Sequence, residues 1–216
     1  MTLPFDLYLI TDPTLGVDLV AATRAVLAAV PPGRVAVQVR AKASAGFDGS
    51  TQDVLALARA LRETTRAHGA LLFVNERADL ARLAGADGVH LPERSLTPAE
   101  ARAVLGEAAL VGVSCHDARG LAAAAAGGAT FATLGPFGTS PNKGAPVEHG
   151  MFTDLVRAAT LPVFALGGVE ATDVASARST GAHGVAVIRA VYGAPDPGRA
   201  ALALIRALDS ANAARR

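Results

Sequence analysis

Short apolar runs alternate with longer segments of helical period eight times along this chain of 216 residues. The runs are nearly all apolar, which is typical of strands in a parallel sheet buried on both faces. The segments between them are rich in Ala, Leu and Arg. The predicted strands are Leu7 to Ile10, Val35 to Val39, Leu71 to Val74, Gly88 to Leu91, Leu110 to Ser114, Phe131 to Leu134, Val163 to Leu166 and Gly184 to Ile188. The predicted helices lie near residues 17 to 30, 51 to 67, 77 to 84, 98 to 105, 118 to 126, 151 to 159, 171 to 179 and 197 to 211. This rhythm predicts repeated βα units.

A weak internal repeat supports the same architecture. Gly85-Ala86-Asp87-Gly88-Val89, Gly128-Ala129-Thr130-Phe131 and Gly181-Ala182-His183-Gly184-Val185 each close a helix and lead into a strand. Glycine supplies the positive φ that ends a helix. With no Pro/Gly/Ser-rich linker, the eight units favour a single (β/α)₈ TIM barrel over residues 1–216. The alternative is an open doubly wound sheet, but its Gly-x-Gly-x-x-Gly fingerprint is missing after the first strand, where Asp12-Pro13-Thr14 stands.

Composition excludes several kinds of partner. The net charge is +1, aromatic residues make up 4% of the chain, and there is no Trp, so we expect no nucleic-acid partner. The apolar run Leu121 to Ala126 is far shorter than the roughly 20 residues that span a bilayer, so we expect no membrane partner. Cys115 is the one cysteine, and the amino terminus does not resemble a signal peptide. These features predict a cytoplasmic protein, and its Ala-rich helices are compatible with a homodimer.

Polar and glycine residues follow the predicted strands at their carboxyl ends, which form the functional face of such a barrel. In the second strand, Gln38 and Arg40 have the opposite parity to the valines, and Lys42 continues the line into the loop. The other residues of this face are Asn75, Glu76, Ser114, His116, Thr139, Ser140, Asn142, Lys143, Gly167, Gly168 and Arg189. Four cations among neutral donors predict a site for phosphate or diphosphate, since Arg offers a planar fork and Lys a point charge.

Parity separates His116 from its neighbour Cys115. Ser114 and His116 share the strand face that looks into the barrel, whereas Cys115 looks toward the covering helices. We therefore expect Cys115 to be a buried apolar residue and His116 to lie at the rim, where it could transfer protons near neutral pH. His90 ends the fourth strand, and its role stays open because no second His or Cys at ligand spacing accompanies it.

Several segments in chain order resemble the thiamine phosphate synthase and TenI superfamily. They are Gln38-Val39-Arg40-Ala41-Lys42, Val74-Asn75 with Arg77 and Asp79, Ala86-Asp87-Gly88-Val89-His90-Leu91, Gly112-Val113-Ser114-Cys115-His116, Gly135-Pro136 to Lys143, and Gly167-Gly168-Val169. The synthases join a hydroxymethylpyrimidine diphosphate to a thiazole phosphate and release pyrophosphate. The resemblance implies that Gln38 and Ser114 contact the pyrimidine and that Gly168 with the backbone near Ile188 and Arg189 holds the thiazole phosphate. It further implies that the diphosphate is bound by Arg40, Lys42, Asn75 and Lys143.

Departures from the family pattern bear on the reaction. Where the synthases carry two magnesium-binding Asp residues, this chain has Glu76 and Ser95, and Arg189 replaces a serine after the eighth strand. Loss of one carboxylate should weaken Mg²⁺ binding, although Glu76 or nearby Glu93 could rescue it.

The segment Leu91-Pro92 with Ser95-Leu96-Thr97-Pro98 is similar to the TenI branch. Members of that branch tautomerise a thiazole carboxylate phosphate without a metal. The favoured hypothesis is therefore a metal-independent thiazole tautomerase, with His116 as general acid and base and with Arg40 and Lys42 near the carboxylate. One alternative is a Mg²⁺-dependent thiamine phosphate synthase, and another is a regulatory protein that binds a thiazole phosphate without turnover.

Overall fold

The computed structural model describes residues 3–41, 43–44, 46–140 and 144–214. Its eight parallel strands form a closed barrel in which every strand pairs with its neighbours in sequence and β1 also pairs with β8. The strands are β1 (Leu7–Ile10), β2 (Val35–Val39), β3 (Leu71–Asn75), β4 (Gly88–Leu91), β5 (Leu110–Cys115), β6 (Phe131–Leu134), β7 (Val163–Leu166) and β8 (Gly184–Val187). The predicted TIM barrel is thus confirmed.

Helices cover the outside of the barrel between successive strands. They are α1 (Leu19–Ala29), α2 (Thr51–Ala67), α3 (Ala78–Ala84), α4 (Pro98–Leu105), α5 (Ala118–Ala126), α6 (His149–Ala158), α7 (Val174–Ser179), α8 (Arg189–Tyr192) and α9 (Pro197–Ala213), with 3₁₀ turns at Pro13–Leu15 and Ala171–Asp173. Side chains cap several of the amino termini, since Asp18 accepts from two backbone N–H groups of α1 and Ser50 accepts from one of α2. Within the described ranges, no helix is long and apolar enough to cross a membrane.

The observed helix bounds differ from the predicted ones by up to three residues, as where α7 begins at Val174 after a 3₁₀ turn, and three strands differ by one residue at their carboxyl ends. β3 continues to Asn75 because that residue still pairs with His90, and β5 continues to Cys115 because it pairs with Leu134. β8 instead stops at Val187, and Ile188 turns into the short helix α8, which the sequence pattern did not predict. The three repeat glycines Gly85, Gly128 and Gly181 have φ of 63°, 78° and 102°, as the repeat predicted.

Two apolar layers hold the barrel together. The outer layer packs the strand valines and Cys115 against the helices. The inner layer fills the barrel with aromatic rings, in which Phe5 stacks on Phe164 with ring centroids 5.2 Å apart and Tyr8 meets Phe131 edge-on at 5.2 Å. The interior is therefore packed, and the mouth formed by the carboxyl ends of the strands is the end at which TIM barrels carry their sites.

Candidate active site

The end of β2 places its polar residues as the alternation predicted. Val35, Val37 and Val39 lie in the outer layer, and Gln38 is buried inside the barrel. The Gln38 amide nitrogen donates to the Tyr8 hydroxyl at 3.0 Å. Tyr8 was missed by the sequence analysis, although it stands on the inward parity of β1. This pair forms the floor of the mouth below β2.

Arg40 lies half-buried just beyond β2. Its backbone exchanges hydrogen bonds with the Thr11 side chain, at 2.9 Å for the N–H and 3.1 Å for the carbonyl. Its guanidinium is 3.7 Å from the Asp12 carboxylate, which is too long for a hydrogen bond. Within the part of the chain that the structure describes, no group accepts a hydrogen bond from this guanidinium, so its donors can reach an anion. The predicted site residues Lys42, Asn142 and Lys143 lie outside the described residues.

The end of β3 carries Asn75 and the exposed Glu76. Glu76 has φ of 65°, the one positive value for a non-glycine residue in the described ranges. Its N–H donates to the His90 carbonyl at 2.8 Å, which ties this left-handed residue to the end of β4. Positive φ is costly for a side chain with a long stem, and such strain is often found at functional sites. Beside Glu76, the Arg77 guanidinium donates two hydrogen bonds to the Asp79 carboxylate, and these lower the pKa of that carboxyl.

Below the mouth, β4 and β5 contribute a histidine–serine pair. His90 Nε2 lies 3.0 Å from Ser114 Oγ, and the His90 ring is buried. Burial lowers the pKa of His90 to about 3, so the imidazole is neutral. Thr133 stands beside Ser114 on β6, and its buried hydroxyl has no partner among the described residues. The open question about His90 is thus answered in part by its place under Ser114, and Thr133 was missed although its inward parity could have identified it.

His116 lies at the rim, exposed, directly after β5. Its Nδ1 is 3.2 Å from the Gly135 carbonyl oxygen. A cavity of about 70 Å³ is lined by His116 together with Ser114, Thr133 and Gly167. Cys115 is buried in the outer layer as predicted, and desolvation, with smaller effects of Glu93 and Asp117, raises its pKa to about 11.

The ends of β6, β7 and β8 enclose a second cavity of about 270 Å³. Its lining includes the predicted residues Gly167, Gly168, Ile188 and Arg189, together with Thr139 and Ser140. Gly168 has φ of 63°, and a Cβ at this position would overlap the carbonyl oxygen of Thr139, so only glycine fits. The Gly138 N–H donates to the Gly167 carbonyl at 2.7 Å, which brings the loop after β6 against the loop after β7.

Arg189 reaches across this second cavity. Its Nη2 donates to Ser140 Oγ at 3.2 Å, and Arg189 is exposed whereas Ser140 is half-buried. A guanidinium and a hydroxyl beside the two glycines are the donors that a phosphate group accepts from. The structure therefore brings donors suited to an anion together at the ends of β6 to β8, while Arg40 and Asn75 stand at the ends of β2 and β3.

The Mg²⁺ implied by the family resemblance can be tested against the oxygen donors at the mouth. In the described part of the chain, no group of three or more His, Cys, Asp or Glu residues comes together. Glu93 and Ser95 do line a common cavity of about 450 Å³ with Ser114, and Glu76 follows the neighbouring strand. Mg²⁺ is usually held by one or two carboxylates plus substrate phosphates. These donors fit a Mg²⁺ ion whose coordination is completed by a diphosphate, rather than one bound by protein ligands alone.

Comparisons with known proteins identify the family of this chain. A family model described as thiamine monophosphate synthase matches residues 7–191. A putative thiamine-phosphate synthase of Geobacter sulfurreducens is 44% identical over 209 residues, covering 94% of each chain. A thiamine-phosphate synthase of Methanoculleus marisnigri is 39% identical over 93% of each chain. The solved thiamine phosphate pyrophosphorylase of Pyrococcus furiosus superposes with a TM-score of 0.82 at 25% identity, covering 97% of this chain and 98% of that one.

Proposed function

Since the chain belongs to the thiamine monophosphate synthase family, we propose that it is a thiamine-phosphate synthase that joins hydroxymethylpyrimidine diphosphate to a thiazole phosphate. The observation that carries this proposal is the division of the mouth into two anion sites with neutral hydrogen-bonding groups between them. Arg40 stands at one site, and Arg189 with Gly168 stands at the other. Two phosphorylated substrates need two such sites. A tautomerase would use them for the phosphate and the carboxylate of a single ligand.

The names of the relatives support this synthase alternative over the tautomerase hypothesis that the sequence analysis favoured. The departures Glu76 and Ser95 were the reason for that preference. They change the metal donors without removing them all, because Glu76 and Glu93 remain at the mouth. A Mg²⁺ ion held partly by the diphosphate of the substrate needs fewer protein ligands. These departures are therefore compatible with diphosphate chemistry.

The reaction assigns a task to each group. The methylene–oxygen bond to the diphosphate breaks, and its electron pair leaves with pyrophosphate. The thiazole ring nitrogen then supplies the lone pair for the new carbon–nitrogen bond. Arg40 stabilises the negative charge that develops on the leaving group. Ser114 and Gln38 orient the pyrimidine, while Gly168, Ser140 and Arg189 hold the thiazole phosphate so that its nitrogen faces the methylene carbon.

When bound, Mg²⁺ would neutralise diphosphate charge, with Glu76, Glu93 and Ser95 as its protein donors. Leaving-group stabilisation is thus the main catalytic demand on this site. No general base is needed for bond formation, because the attacking nitrogen carries no proton. This distinguishes the proposed reaction from a tautomerisation, which moves a proton in every turnover.

A turnover assay tests the proposal. Purified protein is incubated with both substrates and Mg²⁺, and thiamine phosphate and pyrophosphate are measured. We expect both products in equal amounts and a loss of more than about 100-fold in kcat for Arg40→Gln, since charge stabilisation by one donor is worth about that factor. Arg157→Gln on the outer face of α6 is the matched control and should retain full activity. Absence of thiamine phosphate at saturating Mg²⁺ would refute the proposal.

Thiazole tautomerisation is the second candidate function. It is favoured by the position of His116, whose Nδ1 lies 3.2 Å from the Gly135 carbonyl while the ring lines the small cavity beside Ser114. A ring anchored in this way is suited to shuttle a proton. Metal-free conversion of a thiazole carboxylate phosphate, followed by ultraviolet absorbance, would support this candidate. Binding of thiazole phosphates with neither reaction would support the regulatory alternative instead.

A further inference from the structure

Among the described residues, the His90 ring has a hydrogen-bond partner at one nitrogen and none at the other. Nε2 lies 3.0 Å from Ser114 Oγ, whereas the buried Nδ1 has no hydrogen-bond partner among the described residues. The ring is packed between Tyr8 and Phe131, with centroid distances of 5.6 Å and 5.9 Å. The imidazole is thus enclosed by aromatic rings on the side of the barrel interior.

Gly112 fixes the position of this ring. A Cβ at Gly112 would lie 2.5 Å from His90 Nδ1 and 2.5 Å from Phe131 Cζ. The absence of a side chain at this position on β5 is therefore what allows the imidazole to lie flat against the neighbouring strand. It also means that Nδ1 faces the Cα of a glycine rather than a hydrogen-bonding group.

The unpartnered Nδ1 distinguishes the two neutral tautomers. With the proton on Nδ1, a buried N–H would have no acceptor, which is rare and costly in folded proteins. With the proton on Nε2, the N–H donates to Ser114 Oγ, and only a lone pair is left unmatched at Nδ1. An unmatched lone pair is the milder defect. Since Nε2 faces the Ser114 hydroxyl and Nδ1 has no partner among the described residues, the geometry favours the Nε2–H tautomer.

We propose that His90 is a positioning residue which, as the Nε2–H tautomer, donates to Ser114 Oγ and so leaves the proton of the Ser114 hydroxyl available for donation to the ligand. Among the described residues, the Ser114 hydroxyl has no other hydrogen-bond partner. Ser114 also lines both the cavity beside His116 and the larger one beside Glu93. The Ser114 hydroxyl therefore directs its proton toward the ligand site.

The direction of the hydrogen bond between His90 and Ser114 determines which kind of ligand group Ser114 binds best. A serine free to rotate can donate or accept, and would tolerate either a ring nitrogen or an amino group at this point. A serine whose oxygen already accepts from His90 favours a hydrogen-bond acceptor, such as an unprotonated nitrogen of an aromatic ring. The inference rests on the proposed function in naming a pyrimidine as that ring. The tautomer itself is independent of the reaction.

The tautomer is measured first, on the ligand-free wild-type protein. With ¹⁵N-labelled histidine, long-range ¹H–¹⁵N correlation spectra at neutral pH distinguish a protonated from an unprotonated ring nitrogen. The signals of His90 are assigned by their loss in His90→Gln. We expect a protonated Nε2 and an unprotonated Nδ1. A protonated Nδ1 would overturn the proposal whether or not the protein is a synthase.

The donor role of Ser114 is measured second, by calorimetry. The probes are hydroxymethylpyrimidine and its two analogues in which one ring nitrogen is replaced by CH. We expect one analogue to bind wild-type protein at least tenfold more weakly than the parent, and this difference to fall below twofold in Ser114→Ala. His90→Phe, which keeps an aromatic ring but has no ring nitrogen, should also reduce the discrimination. Discrimination that survives in Ser114→Ala would refute the donor role, and failure of all three probes to bind would count against the pyrimidine site of the proposed function.

Discussion

Glu76 occupies a backbone conformation that glycine and asparagine adopt far more readily. Its φ of 65° is held by the N–H contact to the His90 carbonyl. We expect Glu76→Gly to raise the free energy of unfolding by about 0.5–1 kcal/mol, because the cost of a left-handed side chain exceeds the entropy cost of glycine. Urea unfolding measures this change.

Glu76→Ala is the matched control for that prediction. It removes the carboxylate but keeps a Cβ at positive φ, so it should not be stabilised. In the synthase assay, both variants should need more Mg²⁺ for half-maximal rate than wild type does. Glu76→Asp should need less, since aspartate tolerates this conformation better and has the shorter stem. An equal Mg²⁺ requirement in all four proteins would show that Glu76 does not take part in metal binding.

His116 separates the two candidate reactions at the level of a single side chain. General acid–base catalysis contributes about 10²–10⁴-fold, so His116→Ala should reduce a tautomerase by at least 100-fold. A synthase needs no proton transfer for bond formation, and we expect His116→Ala to lower its kcat by less than tenfold. Initial rates with each substrate set measure both effects. A 100-fold loss of synthase activity would contradict this assignment of roles.

At the scale of secondary-structure elements, the apolar runs predicted all eight strands to within one residue. This works because a barrel strand is buried on both faces and leaves a continuous apolar run in the sequence. The four-residue helix α8 was missed, since so short a segment has no periodicity of its own. The 3₁₀ turn at Pro13–Leu15 was missed for the same reason.

The site was predictable only where strand parity decides the direction of a side chain. Parity placed Gln38 and Ser114 inside and Cys115 outside. The contacts of Gln38 with Tyr8 and of Ser114 with His90 join strands that are distant in sequence, so no local pattern contains them. The positive φ of Glu76 depends on a hydrogen bond to the His90 carbonyl, so the local sequence does not predict it either.

The loop after β6 is joined to the start of α8 through Arg189. Because its Nη2 donates to Ser140 and the guanidinium lines the cavity with Gly168, we expect Arg189→Ala to weaken binding of thiazole phosphate. The KM for this substrate should rise about tenfold with little change in kcat, as expected for loss of one charge-assisted hydrogen bond. Arg157→Ala, which makes the same charge change on α6, is the control. An unchanged KM for Arg189→Ala would remove Arg189 from the phosphate site.

At the scale of the whole molecule, the packed interior connects the stability of the barrel to the shape of its mouth. The rings of Tyr8, Phe73, Phe131 and Phe164 fill the barrel, and the polar pair of His90 and Ser114 lies on this layer. A close-packed interior transmits a local change in volume to its neighbours. A substitution inside the barrel should therefore alter both the free energy of unfolding and ligand binding.

Gly112→Ala tests this connection, because the new methyl group would press on both the His90 and Phe131 rings. We expect the free energy of unfolding to fall by about 1–3 kcal/mol, the usual cost of overpacking a core. Displacement of His90 should also release Ser114 Oγ and weaken pyrimidine binding. Gly144→Ala is the control, since a Cβ there meets nothing within 4 Å. Urea unfolding and calorimetry on the same preparations measure both effects. Lower stability with unchanged pyrimidine affinity would show that the interior supports the barrel without shaping its mouth.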